Sequence, residues 1–263
     1  DSSLACVWFG GSMEGRSDIS VFMSRLAPGA QQWSEPVQLS HDAERSEQNP
    51  VLFPAPDGTL WLLHTAQQSG HQNTAVVRVR RSTDHGHTWS DTETLADAPA
   101  GTFVRQPIHV HHDGSWLLPV FYCRAETGQA WDGSHDDSGV LRSTDQGRTW
   151  QRISVPGSLG CVHMNIVQAS DGGLLAFFRS RWADHVYRSR SDDGGLSWRG
   201  TVALGADGQS PQVRGQLALR HLRRTALARD GGSQVNVVHA RLLLPLGAPC
   251  PTVWGTRSVD ASE

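Results

Sequence analysis

Apolar residues along the chain come in pairs of short runs, and an Asp-Gly pair separates the two runs of each pair. This arrangement occurs over residues 50–63, 106–118 and 165–178. It indicates a β-hairpin, because a type I′ turn requires a positive φ at both central positions, which Asp-Gly tolerates. We therefore predict one hairpin in each segment. The predicted turns are Asp57-Gly58, Asp113-Gly114 and Asp171-Gly172, with a further copy at Asp230-Gly231.

A second motif recurs in step with these hairpins. It reads S-x-D-x-G-x-[ST]-W, it follows an arginine each time, and a degenerate copy ends at Trp33. We predict a turn in which Asp accepts backbone N–H bonds, Gly supplies a positive φ and Trp anchors the turn on a sheet. Three aspartates in one context indicate a structural role rather than three catalytic sites. The motif residues are Ser82, Asp84, Gly86 and Trp89, then Ser143, Asp145, Gly147 and Trp150, then Ser191, Asp193, Gly195 and Trp198.

Together the two motifs predict the fold. Each unit of about fifty to sixty residues holds two hairpins, and repeated four-stranded units are typical of a β-propeller. The sequence therefore predicts an all-β protein with about four recognisable blades in residues 1–200. Residues 201–263 contain one aromatic residue, Trp254, and no copy of the motif. They are predicted to be a divergent or incomplete part of the same propeller.

Charge and hydropathy exclude two classes of partner. The chain of 263 residues has 23 basic residues, all of them Arg, and 26 acidic ones. Residues 1–200 are mildly acidic, whereas nucleic-acid binding requires clustered positive charge, so no nucleic-acid partner is expected. No run approaches twenty apolar residues, so no membrane span is expected. No signal peptide is recognisable at residues 1–9, and both a secreted and a cytoplasmic location stay open.

The sequence gives little indication of a metal site. The four cysteines show no C-x-x-C pair and are expected to be buried or surface thiols. His109, His111 and His112 lie close together, but they lack nearby carboxylate or Cys partners in the pattern of a metal site. We therefore expect no metal and no cofactor.

The recurring motif resembles the Asp-box of the sialidase (neuraminidase) superfamily. Residues 4–25, LACVWFGGSMEGRSDISVFMSR, resemble the first blade of bacterial BNR-repeat, sialidase-like proteins. Residues 177–181 resemble the strand that carries an active-site arginine in that family. The resemblance runs from about residue 4 to residue 198. It implies a six-bladed propeller and an exo-α-sialidase that removes a terminal sialic acid, or a related acidic sugar, with retention.

The resemblance also implies which residues bind the substrate and which carry out catalysis. In that family three arginines bind the sugar carboxylate, because a guanidinium can hold it by two parallel charge-assisted bonds. An Asp is the acid/base, and a Tyr assisted by a Glu is the nucleophile, outside the usual two-carboxylate scheme. Here Asp18 matches the acid/base, with Glu14 as an alternative acid. The substrate-binding candidates are Arg16 and Arg179, with Arg181 as a neighbour of Arg179, and then Arg45, Asn49, Arg105 and His163.

The chain departs from the family pattern in three places. His163 stands near where the family has the Glu that assists Tyr, and no Tyr follows Tyr187 although the family's nucleophile lies late in the chain. An earlier strand with the first carboxylate-binding arginine is not recognisable. Residues 201–263 are explained by divergence or by a shifted reading frame, which translation of the coding DNA in all frames would distinguish.

Two other functions stay open. A non-catalytic propeller would bind a glycan or a protein, and its open blade edges would favour self-association. A related propeller lyase or glycosidase would act on another uronic-type sugar, and fold analogy does not choose among these activities.

Overall fold

The structure, a computed structural model, describes residues 3–204 and 239–243, the last five by their backbone alone. The described residues form strands, turns and loops, and they include no helix that could span a membrane. Asp230-Gly231, Cys250 and Trp254 lie outside them. The strands are β1 (Leu4–Gly10), β2 (Ser20–Leu26), β3 (Val37–Gln38), β4 (Arg45–Pro54), β5 (Leu60–Gln68), β6 (His71–Ser82), β7 (Glu93–Thr94), β8 (Thr102–Val104), β9 (His109–Val110), β10 (Trp116–Tyr122), β11 (Asp137–Ser143), β12 (Gln151–Ser154), β13 (Cys161–Gln168), β14 (Leu174–Ser180), β15 (Val186–Ser191), β16 (Val202–Ala203) and β17 (His239–Leu243).

The strands form four antiparallel sheets, which we call blades 1 to 4. Blade 1 has the order β17-β1-β2-β3, blade 2 β4-β5-β6-β7, and blade 4 β13-β14-β15-β16. Blade 3 has the order β8-β10-β11-β12, with the short β9 also paired to β10. Strands β17, β4 and β8 contact one another in turn, so they are the inner strands. The predicted all-β protein with four recognisable blades is confirmed for the described residues.

The hairpins form at the predicted Asp-Gly pairs, but the predicted type I′ turn is wrong. Only the glycine of each pair has a positive φ, between 84° and 88°. In the first turn, Gly58 N donates to Ala55 O at 3.0 Å, and the same bond recurs in blades 3 and 4. This is a type I turn followed by a left-handed glycine. Asp57 keeps a negative φ because its Oδ1 accepts a bond from Thr59 N at 2.9 Å, as in an Asx turn.

The S-x-D-x-G-x-[ST]-W motif forms the turn between the third and fourth strands of blades 2, 3 and 4, as the sequence predicts; we call these the box turns. In blade 2, Ser82 Oγ accepts a bond from Gly86 N at 2.7 Å. Asp84 accepts bonds from the N–H and the hydroxyl of Thr88 at 2.8 and 2.6 Å. The equivalent bonds recur in the other two box turns. The motif aspartates are thus occupied in holding turns.

The apolar core lies in layers between neighbouring blades. Fully buried Leu62 belongs to the layer between blades 1 and 2, and Leu118 to the layer between blades 2 and 3. Each box-turn tryptophan packs in the layer that joins its own blade to the preceding one: Trp89 between blades 1 and 2, Trp150 between blades 2 and 3, and Trp198 between blades 3 and 4. The box turns therefore fasten consecutive blades together.

The chain path gives the blades two different ends. The Asp-Gly turns and the box turns lie at one end, which we call the turn end. The links between second and third strands, and the links from each blade to the next, lie at the opposite end. We call this opposite end the connection end.

Candidate functional site

The acid/base candidate and the six main substrate-binding candidates lie at or near the connection end. Arg16 and Asp18 belong to the link between β1 and β2, and Arg179 is the second-last residue of β14. The other four lie on inner strands or directly after one. They are Arg45 and Asn49 on β4, Arg105 after β8, and His163 on β13.

Asn49 and His163 occupy the same position in blades 2 and 4, and Arg105 lies one residue further along in blade 3. The pairing of β4 with β5 skips from Gln48 to Val51, so Asn49 lies in a β-bulge, and the pairing of β13 with β14 skips likewise around His163. Both residues have a positive φ, 54° and 57°. In blade 3 the inner strand breaks at this level, between β8 and β9, and Arg105 lies at the break. A bulge re-aims a side chain away from the regular alternation of a strand, and bulges are frequent next to active sites.

The structure brings two of these three side chains together. Arg105 Nη1 donates to Asn49 Oδ1 at 2.9 Å, across the boundary between blades 2 and 3. Asn49 is buried and Arg105 half-buried. His163, in blade 4, packs edge-on against the ring of Phe121 at 5.2 Å between ring centroids. The inner strands of blades 2 to 4 thus place an amide, a guanidinium and an imidazole within one residue of the same position.

Asp18 lies on an exposed loop with an ionised side chain. Ser12 N donates to Asp18 Oδ2 at 2.9 Å. The Ser12 side chain and backbone N–H, helped by the charge of Arg16, hold the pKa of Asp18 below its usual value. A general acid at neutral pH needs a raised pKa, which burial can provide. Asp18 is therefore ready to stabilise positive charge or to accept a proton, and it could donate one only after burial.

Arg45 and Arg179 take different roles at this end. Arg45 Nη1 donates to the carbonyls of Ala66 and Thr74 at 3.3 and 3.1 Å, so its guanidinium ties blade 2 together instead of joining Asn49. Arg179 is exposed near the C-terminal end of β14. In the strand pairing it is equivalent to Phe121 of β10, the residue that contacts His163 of the following blade. By this equivalence Arg179 lies on the face of blade 4 that points away from blade 3.

A cavity of about 340 Å³ opens beside Asp18. Asp18 and Ser20 line it together with Phe22, whose ring stacks on Trp8 at 6.1 Å. The remaining lining residues are Gly10, Gly11, Gln38 and His41. The cavity lies on the face of blade 1 opposite the layer that packs on blade 2. The cavity therefore opens on the side of the Asp18 loop that faces away from blade 2, and neither Asn49 nor Arg105 lines it.

A family model described as "BNR repeat-like domain" matches residues 2–227. The chain belongs to the BNR repeat-like family. A comparison with curated proteins gave no match. The family membership confirms the resemblance that the sequence motifs indicate.

Solved structures similar to this BNR repeat-like chain include several sialidases. The Hadza microbial sialidase Hz136 superposes with a TM-score of 0.63 at 16% identity, over 77% of this chain and 44% of that protein. The intramolecular trans-sialidase from Ruminococcus gnavus, in complex with oseltamivir carboxylate, gives 0.64 at 13% identity, over 78% and 68%. Trypanosoma rangeli sialidase in complex with sialic acid gives 0.58 at 14% identity, over 75% and 35%. The sialidase-type propeller fold is confirmed, and the chain spans less than half of the first and third of these proteins.

Two buried ion-pair networks of this BNR repeat-like propeller were not predicted from the sequence. In the first, the carboxylate of Glu47, 1% exposed, contacts His64 Nε2 at 3.1 Å and Arg78 Nη1 at 2.9 Å. Burial would raise the pKa of Glu47, but the bonds with His64 and Arg78 outweigh it and lower the pKa. Arg78 also pairs with Asp42 at 2.5 Å. This network fixes β4 at Glu47, two residues before Asn49.

The second network centres on Asp136, which is fully buried in the link between β10 and β11. Its carboxylate pairs with Arg181 and accepts bonds from Trp131 Nε1 at 2.9 Å and from Arg124 N at 3.0 Å. The expected neighbour of Arg179, Arg181, is thus held by a carboxylate of blade 3. Its guanidinium also reaches Gln72 Oε1 of blade 2 at 3.3 Å. A charge partner so distant in sequence leaves no signal in a local motif.

The part of the chain that the structure describes contains no arrangement of side chains suited to a metal ion. No group of three or more His, Cys, Asp or Glu side chains there is placed to hold an ion. The rings of His111 and His112 pack at 4.0 Å near the turn end, away from the candidate site. Cys6, Cys123 and Cys161 are buried, and burial raises the pKa of Cys161 to about 11.

Proposed function

We propose that this protein is a glycoside hydrolase of the sialidase type, which removes a terminal sialic acid or a related acidic sugar and retains the anomeric configuration. The observation that carries the proposal is the common location of the seven predicted residues at the connection end, with Asn49 and Arg105 in direct contact. The sialidase-type fold and the BNR repeat-like family support it.

Three charged residues have roles in this proposal. Arg16 and Arg179 bind the sugar carboxylate, for which a guanidinium offers two parallel bonds. Asp18 donates a proton to the glycosidic oxygen. Because Asp18 is ionised in the free protein, the substrate has to bury the loop of residues 11–19 and raise the pKa of this carboxyl before the transfer.

The polar residues of the inner strands complete the proposed site. Asn49, Arg105 and His163 contact the sugar hydroxyls from the axial side. Arg45, the first residue of β4, belongs to the same substrate-binding set. His163 also offers an imidazole that can act as a base near the reacting centre. No cofactor is needed, since proton transfer and charge stabilisation by side chains suffice for this reaction.

The nucleophile is the open part of the proposed mechanism. The chain has two tyrosines, and both belong to blades 3 and 4. Tyr122 is buried, and desolvation raises its pKa to about 12. The Tyr187 hydroxyl donates to Asp184 Oδ2 at 2.9 Å, which raises the pKa of Tyr187 as well. Neither matches a late, activated Tyr, so retention rests on the family resemblance alone.

The test is release of 4-methylumbelliferone from its sialic acid conjugate. We expect Asp18→Ala to lower kcat/KM by about 10²- to 10⁴-fold, the usual effect of losing an acid/base group. Asp91→Ala, which removes an exposed carboxylate after the first box turn, should leave the rate unchanged. Equal activity in wild type and Asp18→Ala would remove Asp18 from the mechanism. The proton NMR signal of the first-formed anomer decides between retention and inversion.

Absence of hydrolysis would favour the other functions. An unsaturated sugar product would identify a lyase, and binding of sialosides without turnover would identify a binding propeller. Sedimentation of the pure chain tests self-association through blade edges. The outer strands β3, β7 and β16 are only two residues long, which leaves little edge for pairing.

A further inference from the structure

We propose that Trp182 is a stacking platform for a neutral sugar, the unit to which the terminal acidic sugar is attached. This inference rests on the proposed function and adds a second subsite to it. Trp182 follows β14 at the connection end, and 55% of its surface is exposed. Tryptophan is usually largely buried, and an exposed one held in place at the rim of a site offers a flat apolar surface to a ligand.

The indole ring is held on a backbone that is itself fixed. The ring packs against Gly160, in the link between blades 3 and 4, where a Cβ would collide with its six-membered ring. Gly160 N donates to Asp136 O at 2.7 Å, and Arg181 N donates to Gly160 O at 2.8 Å. The buried ion pair of Asp136 and Arg181 holds the same two segments together. Because the surface is already ordered, a ligand binds it without a large cost in loop entropy.

The sequence neighbour of Trp182 connects its segment to the candidate site. Arg181, next to Trp182 in the chain, lies over the ring of Phe121 at 5.8 Å. Phe121 in turn packs on His163 at 5.2 Å. Gly160, on which the indole packs, directly precedes β13, so the platform lies beside the start of the inner strand of blade 4. This is where the remainder of a glycan would lie when its terminal sugar occupies the axis.

The charges around Trp182 favour a neutral sugar. Leu159, next to Gly160, is also 55% exposed and extends the apolar surface. Asp184 lies two residues after Trp182, and bonds from the hydroxyls of Ser180 and Tyr187 hold its pKa well below the usual range. An ionised carboxylate at this place repels a second acidic sugar and accepts bonds from hydroxyl groups. A neutral pyranose, with one C–H face on the indole and its hydroxyls at the rim, fits both properties.

The experiment compares two substrates that differ only in the leaving group. Sialyllactose carries a neutral disaccharide, and methyl α-sialoside carries none. We expect Trp182→Ala to raise KM for sialyllactose about 3- to 10-fold with little change in kcat, and to leave methyl α-sialoside unaffected. Trp182→Phe should restore most of the loss. The control is Trp33→Ala, which removes an exposed tryptophan at the turn end and should change neither substrate.

Several outcomes would overturn the inference. An equal loss for both substrates would place Trp182 in the structural frame or the terminal-sugar site, and no loss for sialyllactose would show that the indole is not used. If Trp182→Ala does not fold, Trp182→Leu and Trp182→Phe carry the same comparison, with the rise in KM expected for Leu alone.

A binding measurement separates this inference from the proposed function. If the wild-type protein hydrolyses neither substrate, the proposed function fails, and binding of lactose followed by calorimetry then tests the platform. Weaker binding by Trp182→Ala than by wild type would support the platform on its own. Equal binding, or no binding by wild type, would refute it.

Discussion

Arg105 of blade 3 donates a hydrogen bond of 2.9 Å to the side-chain oxygen of Asn49 in blade 2. Asn49 can present its amide here because a β-bulge gives it a left-handed backbone, with φ of 54°. Asparagine is among the few residues that adopt this conformation at moderate cost. At position 49 the left-handed backbone and the amide side chain therefore both serve to present an acceptor to Arg105. Two substitutions separate the contribution of the backbone from that of the side chain.

Asn49→Ala should lower the free energy of unfolding by about 2 kcal/mol, because it loses the bond to Arg105 and places a Cβ at positive φ without a polar compensation. Asn49→Gly should cost less, since glycine removes the backbone strain. Urea unfolding of both variants measures the difference. If the proposed site is correct, both should weaken sialoside binding to a similar extent. A larger stability loss for Gly than for Ala would contradict the role of the bulge.

Asp136→Ala should destabilise the protein by about 3 to 5 kcal/mol, because it leaves Arg181 partly buried without its counter-charge. The exposed pair of Arg124 and Asp137, 2.8 Å apart, is the matched control. Asp137→Ala should cost at most about 1 kcal/mol, since exposed ion pairs contribute little. Denaturant titration measures both variants. Similar costs for the two aspartates would show that burial of the Asp136 pair is unimportant.

Asp145→Asn should make the stability of the protein less sensitive to acid. Bonds from the Thr149 hydroxyl and N–H, then from Ser143, lower the pKa of Asp145 to about 2. A depressed pKa contributes stability above the unfolded-state value of about 3.9, and that contribution is lost as the pH falls through the folded-state value. The wild type should thus exceed the variant in free energy of unfolding at pH 7, with the gap closing between about pH 4 and 2. A gap that is constant down to pH 2 would contradict the assigned bonds.

Gly147→Ala should be more destabilising than Gly58→Ala, although both glycines have a positive φ, of 82° and 88°. A Cβ at Gly147 would lie 2.8 Å from Trp61 Cη2 of the preceding blade, whereas the space around Gly58 is open. We expect about 1 kcal/mol for Gly58→Ala from backbone strain and 1 to 3 kcal/mol more for Gly147→Ala from overpacking. Thermal unfolding of the two variants provides the measurement. Equal costs would mean that the box turn does not press on the neighbouring blade.

The repeated motifs predicted the fold well because turns depend on local chemistry. Asp84 and its two counterparts form identical bonds within a few residues of chain, so the pattern of residues carries the structure. The turn type at Asp57-Gly58 was mispredicted because the side-chain bond to Thr59 competes with the backbone preference of the Asp-Gly pair. The local sequence pattern therefore predicted the hairpin but not the type of its turn.

The candidate site was less predictable because its members share no local signal. Asn49, Arg105 and His163 are three different residue types, and only the strand pairing shows that Asn49 and His163 share one position, with Arg105 one residue further along in blade 3. The pairing of Arg181 with Asp136 joins two blades, and the packing of Trp182 on Gly160 depends on a glycine in another link. Such relationships arise from the stacking of blades, which a single sequence does not state.

The pairing of β17 with β1 has a consequence for how the chain acquires its structure on the ribosome. Blades 2 to 4 each consist of strands that are consecutive in sequence, so each can assemble soon after it is synthesised. Blade 1 receives its inner strand from His239–Leu243, whose partners are Ala5–Phe9. Among the described strands, β1 is thus synthesised first and is among the last to gain both partners, and one of its edges stays unpaired until β17 has been made.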